Sequence, residues 1–119
     1  MFFNNKSKQN TKNNWNQLTD ISQLDEIDQL SVQQKIIIFK HSTRCSISMM
    51  ALKSFENSFD FTNKHFQAFL LHLLTYRTIS NHIASKYNIT HQSPQILVIE
   101  KGICTLHASH EAICELQIF

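Results

Sequence analysis

The chain reads as an α/β domain in three layers, a central mixed sheet of four strands in the order β-α-β-α-β-β-α, with an extra helix ahead of it. Three observations predict this. A β-branched run, "KIIIFKH" (Lys35 to His41), has the unbroken apolar character of a strand covered on both faces. Segments at helical spacing then alternate with apolar runs, which calls for crossover connections and parallel strands. The single glycine, Gly102, falls between two further strand-like runs, where a tight turn needs positive φ.

Each element has its own signal. "TDISQLDEIDQLS" (Thr19 to Ser31) sets Ile21, Leu24, Ile27 and Leu30 on one side of a helix, with Thr19 or Asp20 as its cap. After the Lys35 to His41 strand, Ile47, Met50, Ala51, Ser54, Phe55, Ser58 and Phe59 recur at i, i+3, i+4 spacing. This is an amphipathic helix beginning at or just after Cys45. "HFQAFLLHLLTY" (His65 to Tyr76) reads as the second strand, although its apolar density also suits a helix. "RTISNHIASKYN" is a short helix with Ile79, Ile83 and Tyr87 on one side. "QILVIE" and "ICTLHAS" form a hairpin about Lys101-Gly102, the second strand being an antiparallel edge. "SHEAICELQIF" closes the chain as a helix, with Ser109 as cap and Glu111 in its first turn. This succession is that of a thioredoxin-like domain.

The chain has 119 residues, 42% of them hydrophobic, which suffices for one core and one domain, residues 15–119. The Asn-rich opening, residues 1–14, reads as a flexible tail. The formal charge of +2 misleads about partners. Lys6, Lys8 and Lys12 lie in the tail, which leaves eight Lys/Arg against nine Asp/Glu from Trp15 onward. A near-neutral domain lacks the basic face that phosphate contacts require, so nucleic acid is not an expected partner. The longest apolar stretch is broken by His72 and is too short to cross a bilayer, and the opening residues lack the apolar core of a secretory signal. A cytoplasmic protein, a monomer with no membrane partner and with reduced thiols, is therefore expected.

The chemistry gathers at "HSTRCSIS". Cysteine reacts as its thiolate. Cys45 stands where a strand ends and a helix begins, so unpaired helix N–H groups favour the anion. Arg44 is adjacent, Lys40 and His41 lie just upstream, and no carboxylate occurs between Lys35 and Glu56. The bland alternative, a small apolar filler, conflicts with so polar a setting. Cys104 and Cys114 stand among apolar neighbours and are expected to be core thiols. The only proline, Pro94 in "QSPQILVI", precedes a strand. In a thioredoxin-like fold this position holds a cis proline facing the reactive cysteine, and the residue before it, Ser93, offers backbone groups to an extended substrate.

"FKHSTRCSISMMAL", "YRTISNHIASKYNITHQSPQ" and "ILVIEKGICTLHASHEAI" resemble the monothiol bacilliredoxins, from about Trp15 to Ile113. The resemblance implies a thioredoxin-like fold, removal of the low-molecular-weight thiol bacillithiol from mixed disulfides on proteins, Cys45 as catalytic residue and Pro94 as cis proline. Where related motifs have Cys-Pro, this chain has Cys45-Ser46, and Ser48 takes the place of a second, resolving thiol. Lys40, Thr43, Arg44, Ser48, Gln92, Ser93 and Pro94 are the expected substrate-binding residues. Arg44 and Lys40 would hold the malate carboxylates of bacillithiol, and Arg77 is a further candidate. His91 is expected at the rim. Bacillithiol and bacillithiolated proteins are the implied partners; bacillithiol is a co-substrate, and no cofactor or metal is expected.

Two other readings compete. "CTLHASHEAIC" brings Cys104, His107, His110 and Cys114 into one stretch, but Cys104 and His107 point to opposite faces of a strand, and the spacing matches no standard zinc pattern. A non-catalytic thioredoxin-like binding module, or a thiol redox sensor, would use the same scaffold. A two-thiol mechanism would use Cys114, if the last helix carries it to Cys45.

Overall fold

A computed structural model describes residues 15–117, so the tail assigned to residues 1–14 lies outside the described residues. The elements are β1 (Asn16–Gln17), α1 (Gln23–Leu30), β2 (Lys35–His41), α2 (Ser46–Ser58), β3 (Phe66–His72), α3 (Arg77–Tyr87), β4 (Gln95–Glu100), β5 (Ile103–Ser109) and a 3-10 helix, His110–Glu115. The sheet order is β1-β3-β2-β4-β5.

β2 lies at the centre, which explains its unbroken apolar run. Ile36 and Ile38 enter one core with Leu24, Ile27, Ile79, Ile83 and Tyr87 of α1 and α3. Ile37 and Phe39 enter the other with Ala51 and Phe55 of α2 and Ile113 of the 3-10 helix. Alternate residues of one strand thus supply both cores, as the two-residue period of a strand requires. Burying each large aliphatic side chain contributes ~1.5–3 kcal/mol, so this strand anchors the domain.

The sheet departs from expectation in several ways. It has five strands, because Asn16 and Gln17 pair parallel with Phe69 and Leu70; two polar residues carry no strand pattern. Trp15 and Leu18, both fully buried, hold that short strand in place. β2 and β3 are parallel as expected, but β4 runs antiparallel to β2, with Lys40 opposite Gln95 and Ile36 opposite Ile99. α3 ends at the left-handed Asn88, and residues 88–94 lead the chain into β4 at the end where β2 finishes. Seven residues can span up to ~25 Å, enough to reverse the length of α3.

The ends also differ. Before α1, Asp20 Oδ1 accepts the N–H of Ser22 at 2.8 Å, and Gln23 Oε1 accepts the N–H groups of Thr19 and Asp20 at 2.8 and 2.9 Å. The β4–β5 turn has positive φ at both Lys101 and Gly102, the two-residue hairpin geometry. The closing segment is a 3-10 helix with Ser109 at the N-cap position but no side-chain cap bond, and only Ile113 is buried in it. One buried residue in six gives no apolar stripe to support an α-helix.

Candidate functional site

The site lies where β2 ends and α2 begins. Cys45 occupies the N-cap position of α2 in extended conformation, φ −116° and ψ 119°. Its N–H donates to Ser42 O at 3.2 Å, and its carbonyl accepts the N–H of Met49 at 3.0 Å, opening the helix. The thiol is half-buried. It carries no side-chain cap bond, and the first turn of α2 holds no acidic residue. Thr43 and Arg44 are exposed beside it.

Ser48 is fully buried, one turn into α2. Its Oγ accepts the N–H of Ser42 at 3.0 Å and lies 2.7 Å from His41 Nδ1. As an expected substrate contact it is corrected: the hydroxyl faces inward and ties the loop, because Ser48 shares the buried face of α2 with Ala51 and Phe55.

Lys40 is also corrected. It is fully buried, and alternation sets it on the α3 face of the sheet, away from α2. Its Nζ is 3.4 Å from Ser80 O and 3.3 Å from His91 Nδ1, with no carboxylate at ion-pair distance among the described residues. Burial pushes its ammonium down to about 8. His91 Nδ1 also meets Ser80 Oγ at 3.2 Å. Burial first, then the charges of Lys40 and Arg77, hold His91 below the ordinary imidazole range. His91 is half-exposed and lies over the buried Lys40 ammonium.

The proline loop approaches from β4. The Ser93–Pro94 peptide is cis. Because Lys40 is opposite Gln95, Pro94 follows beside His41, next to the loop that carries Cys45. Pro94 is buried, Ser93 half-buried and Gln92 exposed. Gln95 Nε2 donates to Thr90 O at 2.9 Å, and Pro94 O accepts the N–H of His110 at 3.0 Å, which fixes both sides of the loop.

His41, expected with Lys40 and Arg44 among the basic groups beside the thiol, is instead buried at the end of β2, and its neighbour His72 was read only as a break in an apolar run. They are opposite each other in the β2–β3 register, with ring centroids 5.9 Å apart. Burial first, and the charge of His72 second, push His41 down to about 4. The available signal was the position of both basic residues at the end of a strand buried on both faces.

The other cysteines stand apart. Cys114 is exposed, not a core thiol, and lines a cleft with Ser54, Phe55 and Ser58 in the second half of α2 and Phe59 just after it. Phe55 is ten residues from Cys45, ~15 Å along a helix. Cys104 is half-buried against the α1/α3 core, opposite Ile99 at the far end of β4. Four strand residues separate that level from Gln95, ~13 Å. A disulfide needs Cα atoms within ~7 Å, so neither cysteine is placed to resolve a disulfide at Cys45. Cys104 packs against the α1/α3 core whereas Cys114 lines a cleft at α2, and no metal-holding group of three His, Cys, Asp or Glu occurs among the described residues.

The family described as monothiol bacilliredoxin BrxC matches residues 16–118. Among solved structures, a protein with a thioredoxin fold, described as a candidate oxidoreductase, is similar at 26% identity and TM-score 0.71, over 82% of this chain and 83% of that one. Thioredoxin from Fasciola hepatica is similar in fold at 14% identity and TM-score 0.62, over 79% and 85%. Thioredoxin from Trypanosoma brucei brucei matches at 11% identity and TM-score 0.64, over 88% and 86%. No helix among the described residues is long and apolar enough to cross a membrane.

Proposed function

Because the chain belongs to the monothiol bacilliredoxin family, and family and fold together give it a thiol redox function, we infer that it removes bacillithiol from protein mixed disulfides through Cys45 alone. The cycle has two exchanges. Cys45 thiolate attacks the bacillithiol sulfur of a modified protein, the S–S bond breaks, and the protein thiolate leaves. A second bacillithiol thiolate then attacks the sulfur now bound to Cys45, releasing bacillithiol disulfide and Cys45 thiolate. A disulfide is passed on at each step, so no outside oxidant is needed.

The observation that carries this reading is the isolation of Cys45. Its i+3 position is filled by a buried, hydrogen-bonded serine hydroxyl, and the two other thiols stand elsewhere in the fold. A mixed disulfide formed at Cys45 therefore waits for an external thiol. Arg44 and Thr43 beside the thiol, and Gln92, Ser93 and Pro94 on the neighbouring loop, are proposed to contact the substrate. Arg44 is the proposed partner for the malate carboxylates, since Lys40 is buried on the other face.

The test is intact mass after incubation with bacillithiol disulfide and then with reduced bacillithiol, for wild type and Cys45→Ser. The expected result is one adduct on wild type only, removed in the second step. Loss of two hydrogens instead would reveal an internal disulfide. Absence of any adduct would leave a binding module on this scaffold.

A further inference from the structure

We propose that His41 is a positioning residue for exchange at Cys45, acting through Ser48 on the turn that carries the thiol. The inference rests on the reading of Cys45 as the reacting group. It adds a residue outside the expected site.

Ser48 Oγ accepts the N–H of Ser42 at 3.0 Å and lies 2.7 Å from His41 Nδ1. A hydroxyl has one proton to give and two lone pairs to accept with, so the second bond forms with either tautomer of the ring. The imidazole is 3% exposed and faces His72 from the neighbouring strand, so its surroundings hold it in place. The Ser42 amide, the Ser48 oxygen and the His41 ring thus form one hydrogen-bonded chain. Ser42 is also the residue whose carbonyl accepts the N–H of Cys45 at 3.2 Å. Ser42 is thus held by its N–H to the core of α2 and holds Cys45 by its carbonyl. One imidazole on the rigid central strand sets the hydroxyl that closes this turn.

The geometry has a chemical purpose. A thiolate at an N-cap gains from the unpaired helix N–H groups only while its backbone keeps that position. Groups locked by hydrogen-bonded neighbours on regular elements hold such alignments better than free loops. A hydrogen-bonding group at the Nδ1 position is what the arrangement requires, and the side-chain amide of asparagine can supply one. Phenylalanine fills the space without it.

The experiment follows alkylation of Cys45 by iodoacetamide, read on the Cys45 peptide by mass spectrometry, together with the rate of bacillithiol transfer from a mixed-disulfide protein. The variants are His41→Phe, His41→Asn, Ser48→Ala and the double variant His41→Phe/Ser48→Ala, each checked for folding by urea titration. Losing one hydrogen bond predicts about a fivefold fall in both rates for His41→Phe and for Ser48→Ala. The double variant should be no slower than either single one, because the two groups act as one unit. His41→Asn should stay within about twofold of wild type. Folded His41→Phe reacting at the wild-type rate would overturn the positioning role, and so would a His41→Asn as slow as His41→Phe, which would mean only packing matters. A wild-type protein that takes no bacillithiol while Cys45 alkylates like an unfolded thiol would instead overturn the reading of Cys45, and the positioning role with it.

Discussion

Replacing Lys40 with methionine should make the protein more stable. The side chain is fully buried, its Nζ meets only Ser80 O and His91 Nδ1, and burial lowers its pKa from 10.5 to about 8. At 1.36 kcal/mol per pH unit, holding that ammonium charged at pH 7 costs about 3 kcal/mol relative to the unfolded chain. Methionine keeps the length of the apolar stem and carries no charge, but it forfeits the polar contacts, about 1 kcal/mol. The net expectation is a gain of about 2 kcal/mol at pH 7. The pH dependence gives a second readout. Between pH 8 and 10.5 the unfolded lysine holds its proton and the folded one does not, so wild-type stability rises with pH through that window. Urea unfolding of both proteins from pH 7 to 9.5 measures this, and the difference between them removes the titration of shared groups. The two curves should converge as pH rises. A Lys40→Met protein that is less stable at pH 7, with a gap that does not depend on pH, would refute the reasoning and mean that the cation is well compensated where it lies.

Acid should act in the opposite window. His41 falls from 6.5 to about 4 through burial and the charge of His72, so its contribution is complete above pH 6.5 and is lost as pH falls toward 4. Urea titrations from pH 7 to 4 should show a loss of about 3 kcal/mol from this group, absent in His41→Phe. Trp15→Ala should cost about 3–5 kcal/mol in the same assay. Its ring packs against Phe39, Phe55 and Phe61, and its Nε1–H donates to Glu56 Oε2 at 2.7 Å. Ser48→Cys should lose about 1–3 kcal/mol, because a thiol is a poor partner for the Ser42 amide and His41. On mild oxidation the same variant should shed two hydrogens by intact mass, since positions 45 and 48 share one helix face.

Much of this fold could be read from the sequence because its strands are apolar by composition and its helices by period. Ile36 to Phe39 alternate between two cores, and Ile79, Ile83 and Tyr87 mark one side of α3. The place of Cys45 between a strand and a helix was legible from the apolar run before it and the helical spacing after it. Features set by neighbours distant in the chain were harder to see. Lys40 and His41 look like helpful surface charges until β4 is seen to cover the second edge of β2. Its antiparallel direction depends on how residues 88–94 return, and no residue type specifies that. The same logic applies to Cys114: "AIC" looks apolar, yet the 3-10 helix turns only Ile113 inward. Ser48 was read for what it is not, a second thiol, whereas its hydroxyl acquires its role only through His41, seven residues earlier in the chain and adjacent in space.

β1 is only two residues long, but the strand it covers, "FQAFLLH", is among the most apolar in the chain. A bare edge of that composition is a template on which a second molecule can add its own strand and begin an ordered aggregate. Asn16 and Gln17 occupy the outer side of Phe69 and Leu70, the N–H of Leu18 donates to Leu70 O, and Asn16 Nδ2 reaches Ala68 O. Trp15 and Leu18 pin the two ends of this plug into separate cores. The same few residues that complete the sheet therefore guard solubility, and local fraying there would expose self-association well before the domain as a whole unfolds.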